Sequence, residues 1–418
     1  MTIVFNHIKR ELKFVLRDQA YGLWLVMVLI LSSLSVGFGL LAVQQQQQTI
    51  EQLITADEQD RAAESAKLKD WGSAAYYQFH LTYAPPGDFA FAAMGRRDLD
   101  PWKHRVRMLA LEGQIYERDV INPVIAAVGR FDFAFLATLV MPLIWILVLH
   151  DLKSREHRAG RYALLEASVN QSRYLWATRA SVKVAGLVVC LLLPLLIGGV
   201  VTGTAWTTLL LASSAVTLYG LCWLVISLIV LWFKPATSSA VSLFSLLSVW
   251  MVTAVLIPAG AQLAINQAVP VPASAEILLL QRETVNDAWD LPKADTLSKF
   301  AERHPEWQSY KHNGQGFDWP WYYAFQQVGD QQTEALSQAY RQGRLSRDQL
   351  AQLVAWLAPP VLLERVLQQL ADTDLQASLA YEAQVRRYHE ALRQYYYPKL
   401  FQQQAFDLKS LNPPDFKP

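Results

Sequence analysis

The sequence predicts a mainly α-helical, polytopic membrane protein, with five spanning helices, a small mixed α/β extracytoplasmic unit after the first and a helical extracytoplasmic unit after the fifth. Three observations carry this. Of the 418 residues, 52% are hydrophobic and only 17% charged, against roughly a quarter charged in an ordinary soluble domain. No Asp, Glu, Lys, Arg or His interrupts the 50 residues from Val184 to Phe233, nor the 41 from Pro235 to Ala275. A bilayer core takes about 20 apolar helical residues to cross, so these two runs hold three spans between them and are too long for buried helices of a soluble domain.

The spans read as 21–43, 131–150, 181–203, 207–233 and 238–265. Tyr21, Trp24, Trp145, Trp206 and Trp232 lie near span ends, where amphipathic rings favour the headgroup region. Pro194 and Pro258, the latter followed by Gly260, predict kinks of the kind that membrane helices tolerate. The first run, 23 residues long, is followed by Gln44–Gln48 and not by a small-residue cleavage site, so it reads as an anchor and not as a cleaved signal. Both cysteines, Cys190 and Cys222, fall inside apolar runs, which leaves the polar regions without a thiol for a disulfide or a zinc site.

Basic residues orient the chain. With the N-terminus (1–20) cytoplasmic, the inside pieces also include 151–180 and 234–237 and hold 11 Lys/Arg in 54 residues. The outside pieces, 44–130 and 266–418, hold 25 in 240, about half that density, as the positive-inside rule requires. The short flanks agree: Lys9, Arg10, Lys13 and Arg17 precede the first span, whereas the uncharged stretch Gln44–Ile50 follows it.

Outside, the first span continues as a helix, since Ile50, Leu53 and Ile54 recur at helical spacing and no Gly or Pro appears before Gly72. The pattern breaks at Pro85-Pro86-Gly87; Phe89–Met94 and Trp102–Leu111 then read as the mixed α/β unit. Asn122-Pro123-Val124 opens a short amphipathic helix leading to Phe131. In the C-terminal piece three stripes read as packed helix faces: Tyr322, Phe325, Val328, Leu336 and Tyr340; Leu350, Leu353 and Leu357 up to Pro359-Pro360; and Leu379, Val385, Tyr388, Leu392 and Tyr395. The glutamine quintet reads as a solvated collar.

Catalytic patterns are missing. The chain has no G-x-x-x-x-G-K-[ST] to cradle nucleotide phosphates, no G-x-S-x-G and no H-E-x-x-H. His304 and His312, with Glu302 and Glu306 around Pro305, lack the i, i+3 or i, i+4 spacing that puts two ligands on one helical face. No metal site, cofactor site or nucleic-acid surface is expected, and the chain does not read as an enzyme.

The segment that carries a functional reading is 151–180, above all Arg155, Glu156, Arg158, Gly160, Tyr162, Leu164 and Leu165. Its charge is too dense for lipid, and an apolar Tyr/Leu patch follows the glycine. Such a helix can lie in the interface or dock in a partner's groove; equally, a basic belt can do no more than set topology. Two charges sit at membrane edges, Asp132 and Lys183. As pathway residues they would serve an ion or substrate, but within a turn of the interface Asp132 reads better as a helix N-terminal anion and Lys183 as a snorkelling cation. Ser213, Ser214, Thr217, Ser242 and Ser245 read as interhelical glue.

Glu156-His157-Arg158-Ala159-Gly160, Leu164-Leu165 and Arg179 resemble the cytoplasmic loop of ABC-2 type transporter permeases, where an acidic-Gly-Leu-Leu pattern and a basic residue flank the coupling helix. Outside, Asn122-Pro123, Gly129-Arg130-Phe131-Asp132, Pro270-Val271-Pro272, Gln281-Arg282-Glu283, Asp318-Trp319, Trp321-Tyr322-Tyr323, Trp356–Pro360, Thr373-Asp374 and Tyr396–Phe401 resemble, in order, a bacterial subfamily with two large extracytoplasmic domains. The resemblance implies a permease subunit of the bacterial inner membrane, paired with a second permease as a homo- or heterodimer. Two separate cytoplasmic ATPases would carry the ATP and magnesium and grip residues 154–168. Gly160-Arg161 and Ala167-Ser168 depart from the Gly-Thr and Gln-Pro usual there. A sixth span usual in that family is missing after 266–418, so either it lies beyond this sequence or the subunit has five spans. Lipid, peptide, siderophore and drug stay equally open as cargo. Two other readings remain: a subunit that passes ATPase-driven motion to an outside partner without moving a substrate, and an anchored outside binding module.

Overall fold

The computed structural model describes residues 2–65, 67–117, 131–167, 172–233, 238–312 and 316–418. The expected Asn122-Pro123-Val124 helix, Gly129-Arg130 and the 234–237 loop lie outside the described residues. Among the described residues the chain is mainly helical, with five helices long and apolar enough to cross a membrane and one two-stranded sheet.

Helix α1 (Thr2–Arg17) leads, after Asp18, into α2 (Gln19–Ser65), the first apolar helix and its polar extension. The predicted continuation past the span is therefore present. Although α2 is apolar all round at its start, it buries one face: Tyr21, Val28, Ser32, Val36, Gly39, Val43 and Gln46. That spacing of three to four residues is one side of a helix. Leu23, Val26, Ile30, Leu34 and Phe38 point away. The polar collar is not uniform, because Gln46 is buried and accepts a hydrogen bond from Arg97 Nε at 3.0 Å.

After α3 (Trp71–Tyr77), strands β1 (His80–Tyr83) and β2 (Lys103–Val106) pair antiparallel, His80 opposite Val106, and α4 covers Leu111–Tyr116. The second apolar helix, α5 (Phe133–Arg158), contains a π-helical turn at Leu136–Val140 just before Pro142. Proline has no N–H for the carbonyl four residues back, and that carbonyl, Thr138 O, accepts from Tyr219 Oη at 2.7 Å. A short helix α6 (Tyr162–Ala167) follows, then the apolar α7 (Ser172–Thr202), α8 (Trp206–Phe233) and α9 (Ser239–Ala268). Pro194 sits inside a continuous α7, whereas Pro258 follows a second π turn at Val252–Leu256.

The interhelical bonds come from residues other than the expected Ser/Thr set. Tyr21 Oη donates to Lys183 O and Ser32 Oγ to Leu191 O, both at 2.7 Å, while Thr217 bonds its own helix at Ser213 O. Helix α9 is peripheral: only 11% of its apolar window is buried, against 39–67% for the other four.

The remaining helices are α10 (Ser274–Asp287), α11 (Lys293–Arg303), α12 (Trp319–Ala355), α13 (Pro359–Leu370) and α14 (Leu375–Phe401). Together with residues 67–117, α10, α11, α12 and α14 form a head on one core. Trp71, Val106, Leu111 and Ile115 pack there with Ile277, Phe300, Tyr323, Val385 and Tyr396. The two polar segments, distinct in the sequence, are thus interleaved in space. Asp330 of α12 accepts from Leu111 N at 2.8 Å and Glu112 N at 3.1 Å; α4 has no cap of its own, and the carboxylate satisfies its orphan donors. Around Glu112, Arg386 donates twice at 2.9 Å, and Arg344 bridges Asp100 at 2.8 Å and Glu382 at 3.0 Å.

Head and bundle share a second core, which changes the reading of Phe89–Met94. This stretch joins the core of the apolar helices, with Phe91 fully buried among them. Two glycines make the slot. A Cβ on Gly39 of α2 would lie 1.8 Å from the Phe91 carbonyl oxygen, and one on Gly198 of α7 would lie 2.8 Å from its ring. Thr204 Oγ1, in the α7–α8 turn, donates to Asp88 O at 3.0 Å.

Candidate functional site

The predicted segment folds as a helix-turn-helix at the end of the bundle opposite the head. The last stretch of α5, Leu152–Arg158, ends at Gly160, whose φ of +69° lies in the left-handed region that glycine adopts without strain. Arg161 N bonds back to Glu156 O at 3.0 Å, so the chain reverses and α6 begins. Nothing stands within 4 Å of a Cβ placed on Gly160; the backbone angle, not crowding, calls for the glycine.

Glu156 and Arg179 are the centre of the site. Glu156 accepts from Arg161 Nε at 2.9 Å and from an Arg179 terminal nitrogen at 3.0 Å, while Arg179 Nε donates to Glu11 at 2.9 Å. Arg179 and Glu156 are 15% and 14% exposed and Glu11 only 1%, so screening is weak and the charges stabilise one another. Through Arg179 the loop, α1 and α7 form one unit. Arg155 adds a second tie, to Asp18 at 3.2 Å. Lys153 Nζ donates to Leu231 O at 3.0 Å, a cation on the last turn of α8, where the helix dipole favours one.

Tyr162 stacks on Trp176 at 5.9 Å and 18°, and Arg179 lies over the same indole at 5.5 Å. Burial, then the hydrogen bond to Glu166, pushes the Tyr162 phenol above its usual range. Trp176 Nε1 donates to Glu166 at 3.4 Å. These contacts hold α6 so that Leu164 faces outward, 71% exposed. Leu165 is half-buried and Arg158 exposed.

Eight predicted residues, Arg155, Glu156, Arg158, Gly160, Tyr162, Leu164, Leu165 and Arg179, therefore gather at one place. Of the two membrane-edge charges, Asp132 does not join them, whereas Lys183 lies within electrostatic reach of Asp18, Asp151, Arg155 and Arg179. Asp132 lies at the head end, where it caps α5 by accepting from Phe135 N at 2.8 Å and also accepts from Met94 N at 3.0 Å. Lys183, read as a snorkelling cation, is buried against α2, its ammonium 5.5 Å from the centre of the Tyr21 ring. Sequence reasoning missed Glu11, Asp18, Lys153 and Trp176. A signal existed for Glu11, the one acid among Lys9, Arg10, Lys13 and Arg17 in α1.

Elsewhere, His304 stacks on Phe300 and bonds Glu306 at 3.0 Å, whereas His312 bonds Lys293; the two histidines serve different contacts. A small cleft of about 320 Å³ opens where Phe38, Gln45 and Phe131 meet Met94 and Asp132.

A family model described as a domain of unknown function (DUF3526) matches residues 275–416, the stretch from the first turn of α10 through the end of the head. No curated protein and no solved structure matches the chain.

Proposed function

We propose that this chain is the membrane-spanning permease subunit of an ATP-binding cassette transporter, an exporter. Its five apolar helices lie in a bacterial inner membrane with the N-terminus cytoplasmic, beside a second permease. Separate cytoplasmic ATPases hold the ATP and magnesium and dock on the Arg155–Leu165 segment. The observation that carries this reading is Leu164, an uncovered leucine on a helix-turn-helix braced by Glu11–Arg179–Glu156. A rigid mount under an apolar knob is what a docking partner needs in order to push on α1, α5 and α7 together. ATP-driven motion of that mount rocks the bundle between two states.

The test is affinity purification of the tagged full-length chain in mild detergent. A P-loop ATPase and a second permease should co-purify stoichiometrically. Leu164→Asp with Leu165→Asp should lose the ATPase while the chain still inserts. Recovery of the wild-type chain alone from several detergents and nanodiscs, or full ATPase recovery with the double variant, overturns the reading.

A second reading is supported by the slot that receives Phe91. A head whose fully buried phenylalanine sits inside the bundle follows any rocking of the helices. The chain would then pass ATPase-driven motion to an extracytoplasmic partner without moving a substrate itself. Substrate-independent ATPase stimulation by a head-binding protein would favour it.

A further inference from the structure

Of the three stripes read from the sequence as packed faces, the middle one fails. Leu353 and Leu357 are 67% and 68% exposed, and Trp356 beside them is 73% exposed. These residues recur at i, i+3 and i+4, one face of the last turn of α12 and the turn that follows it.

The contacts of α12 show where that face lies. Gly329 packs on Val285 and Gln281, Gly343 on Val271, and Arg347 Nε donates to Val269 O at 2.9 Å. As α12 advances its partners fall in number, so it runs antiparallel to the chain that leaves α9. Nine residues beyond Arg347, at 1.5 Å rise each, carry Trp356 about 13 Å further along, and α12 packs against Ile257–Ala268 of α9. After Ala358 the chain turns back as α13, which packs on α8 and on both π turns, Leu136–Val140 and Val252–Leu256. Leu363 and Leu367 of α13 are buried in the core of the apolar helices. The return ends level with the buried head loop, where Thr373 Oγ1 donates to Ala93 O at 2.8 Å.

We propose that residues 348–371 form a re-entrant helical hairpin seated in the head-side leaflet, with Leu353, Trp356 and Leu357 facing lipid acyl chains. The inference rests on the reading of the five apolar helices as membrane spans. Three features on the hairpin itself support it. From Gln349 to Leu363 there are 15 residues without a charge, the length expected of a re-entrant segment and too short to span. Two of its three charges are neutralised, since Arg365 donates to both Asp348 oxygens, at 2.7 and 2.9 Å, and Glu364, past the uncharged run, accepts from Gln368 at 3.0 Å. At the tip the backbone keeps its donors satisfied, as lipid demands, with Leu357 N bonded to Val354 O, Ala358 N to Ala355 O and Leu362 N to Ala358 O. Pro359 and Pro360 begin α13 without an N–H to leave dry. Lipid is the occupant because the tip residues Leu353, Trp356 and Leu357 are apolar, with the exposed Gln349 and Gln352 nearer the base, and because the tip continues onto the uncovered face of α9, Val252, Val255, Leu256 and Leu263.

The experiment uses the full-length chain with Cys190→Ser and Cys222→Ser, reconstituted in liposomes. Leu353→Cys, Trp356→Cys and Leu357→Cys each carry a nitroxide. Leu256→Cys on α9 and Leu408→Cys on the head, 58% and 47% exposed, are the references. Collision with oxygen reports lipid and collision with a water-soluble nickel chelate reports water. At the three hairpin sites the oxygen-to-nickel ratio should match that at Leu256 and exceed that at Leu408 at least about threefold. A ratio equal to that at Leu408 overturns the hairpin. Low collision with both reagents assigns the patch to a protein partner, a second copy included, and equally overturns it. If Leu256 itself reads as aqueous, the membrane reading of the bundle fails instead, which separates the two.

Discussion

Phe91→Ala tests how firmly the head is held by the bundle. Phe91 is 0% exposed, and the residues that open its slot, Gly39 and Gly198, have no side chain with which to fill the space it would leave. The substitution vacates about 100 Å³, which at about 24 cal/mol per Å³ costs about 2.4 kcal/mol; the lost transfer free energy brings the total to about 3–4 kcal/mol. Because each 1.4 kcal/mol is a tenfold change, opening of the slot becomes more than about 100-fold more frequent. Hydrogen exchange in detergent reads this directly. Met94 N–H, held by Asp132 at 3.0 Å, and Ala92 N–H, bonded to Phe89 O at 3.0 Å, should lose about two orders of magnitude of protection. Ile30→Ala, on the 53% exposed outer face of α2, should leave both amides unchanged. Protection of the Met94 and Ala92 amides that survives Phe91→Ala within about threefold would refute the claim that this side chain docks the head.

Two further outcomes follow from charges. Burial, reinforced for His80 by Arg61 and for His389 by Arg393, pushes both imidazoles down to about 3, whereas an unfolded histidine titrates near 6.5. Between those values the unfolded chain binds more protons, so head stability is complete above pH 6.5 and falls as the pH drops toward 3, by up to about 1.4 kcal/mol per pH unit for each histidine. Denaturant unfolding from pH 7 to 5 should show the slope, and His80→Phe should about halve it, leaving the His389 share; neither His80 nitrogen has a partner among the described residues, and an undiminished slope would place the titration elsewhere. Arg179→Met leaves Glu11 without its 2.9 Å partner and Glu156 with Arg161 alone. With the arginine only 15% exposed, the loss should be about 3 kcal/mol, seen as a lower melting midpoint. A double-mutant cycle with Glu156→Gln should then return a coupling of about 1 kcal/mol or more, and additive effects would mean that the pair is not coupled.

Bundle, loop and stripes were legible to different degrees, for physical reasons. The helix-turn-helix at Gly160 was readable because its parts are local: a charged run, a glycine whose backbone angle breaks the helix, and an apolar pair after it. Glu11 and Trp176 escaped because nothing along the chain says that α1 folds beside α7; only the Arg179 fork, reaching both carboxylates, makes them part of the site. For Lys183 the sequence offered depth alone; only the fold shows the Tyr21 ring that its ammonium meets across the helix pair.

The sequence by itself determined where the apolar helices run and roughly where they end, because crossing hydrocarbon takes a minimum uncharged length that a composition scan can see. It also shows no G-x-x-x-x-G-K-[ST] pattern in these 418 residues. Tertiary structure alone decided what the polar segments do. Phe89–Met94 is too short and Pro359–Leu370 too mixed to announce where each is buried, and their neighbours, Gly39, Gly198 and the two π turns, are far away in the chain. Whether an apolar stripe faces a core or lies uncovered, as at Leu353 and Trp356, depends on which surface the fold brings opposite it, and periodicity carries only the stripe.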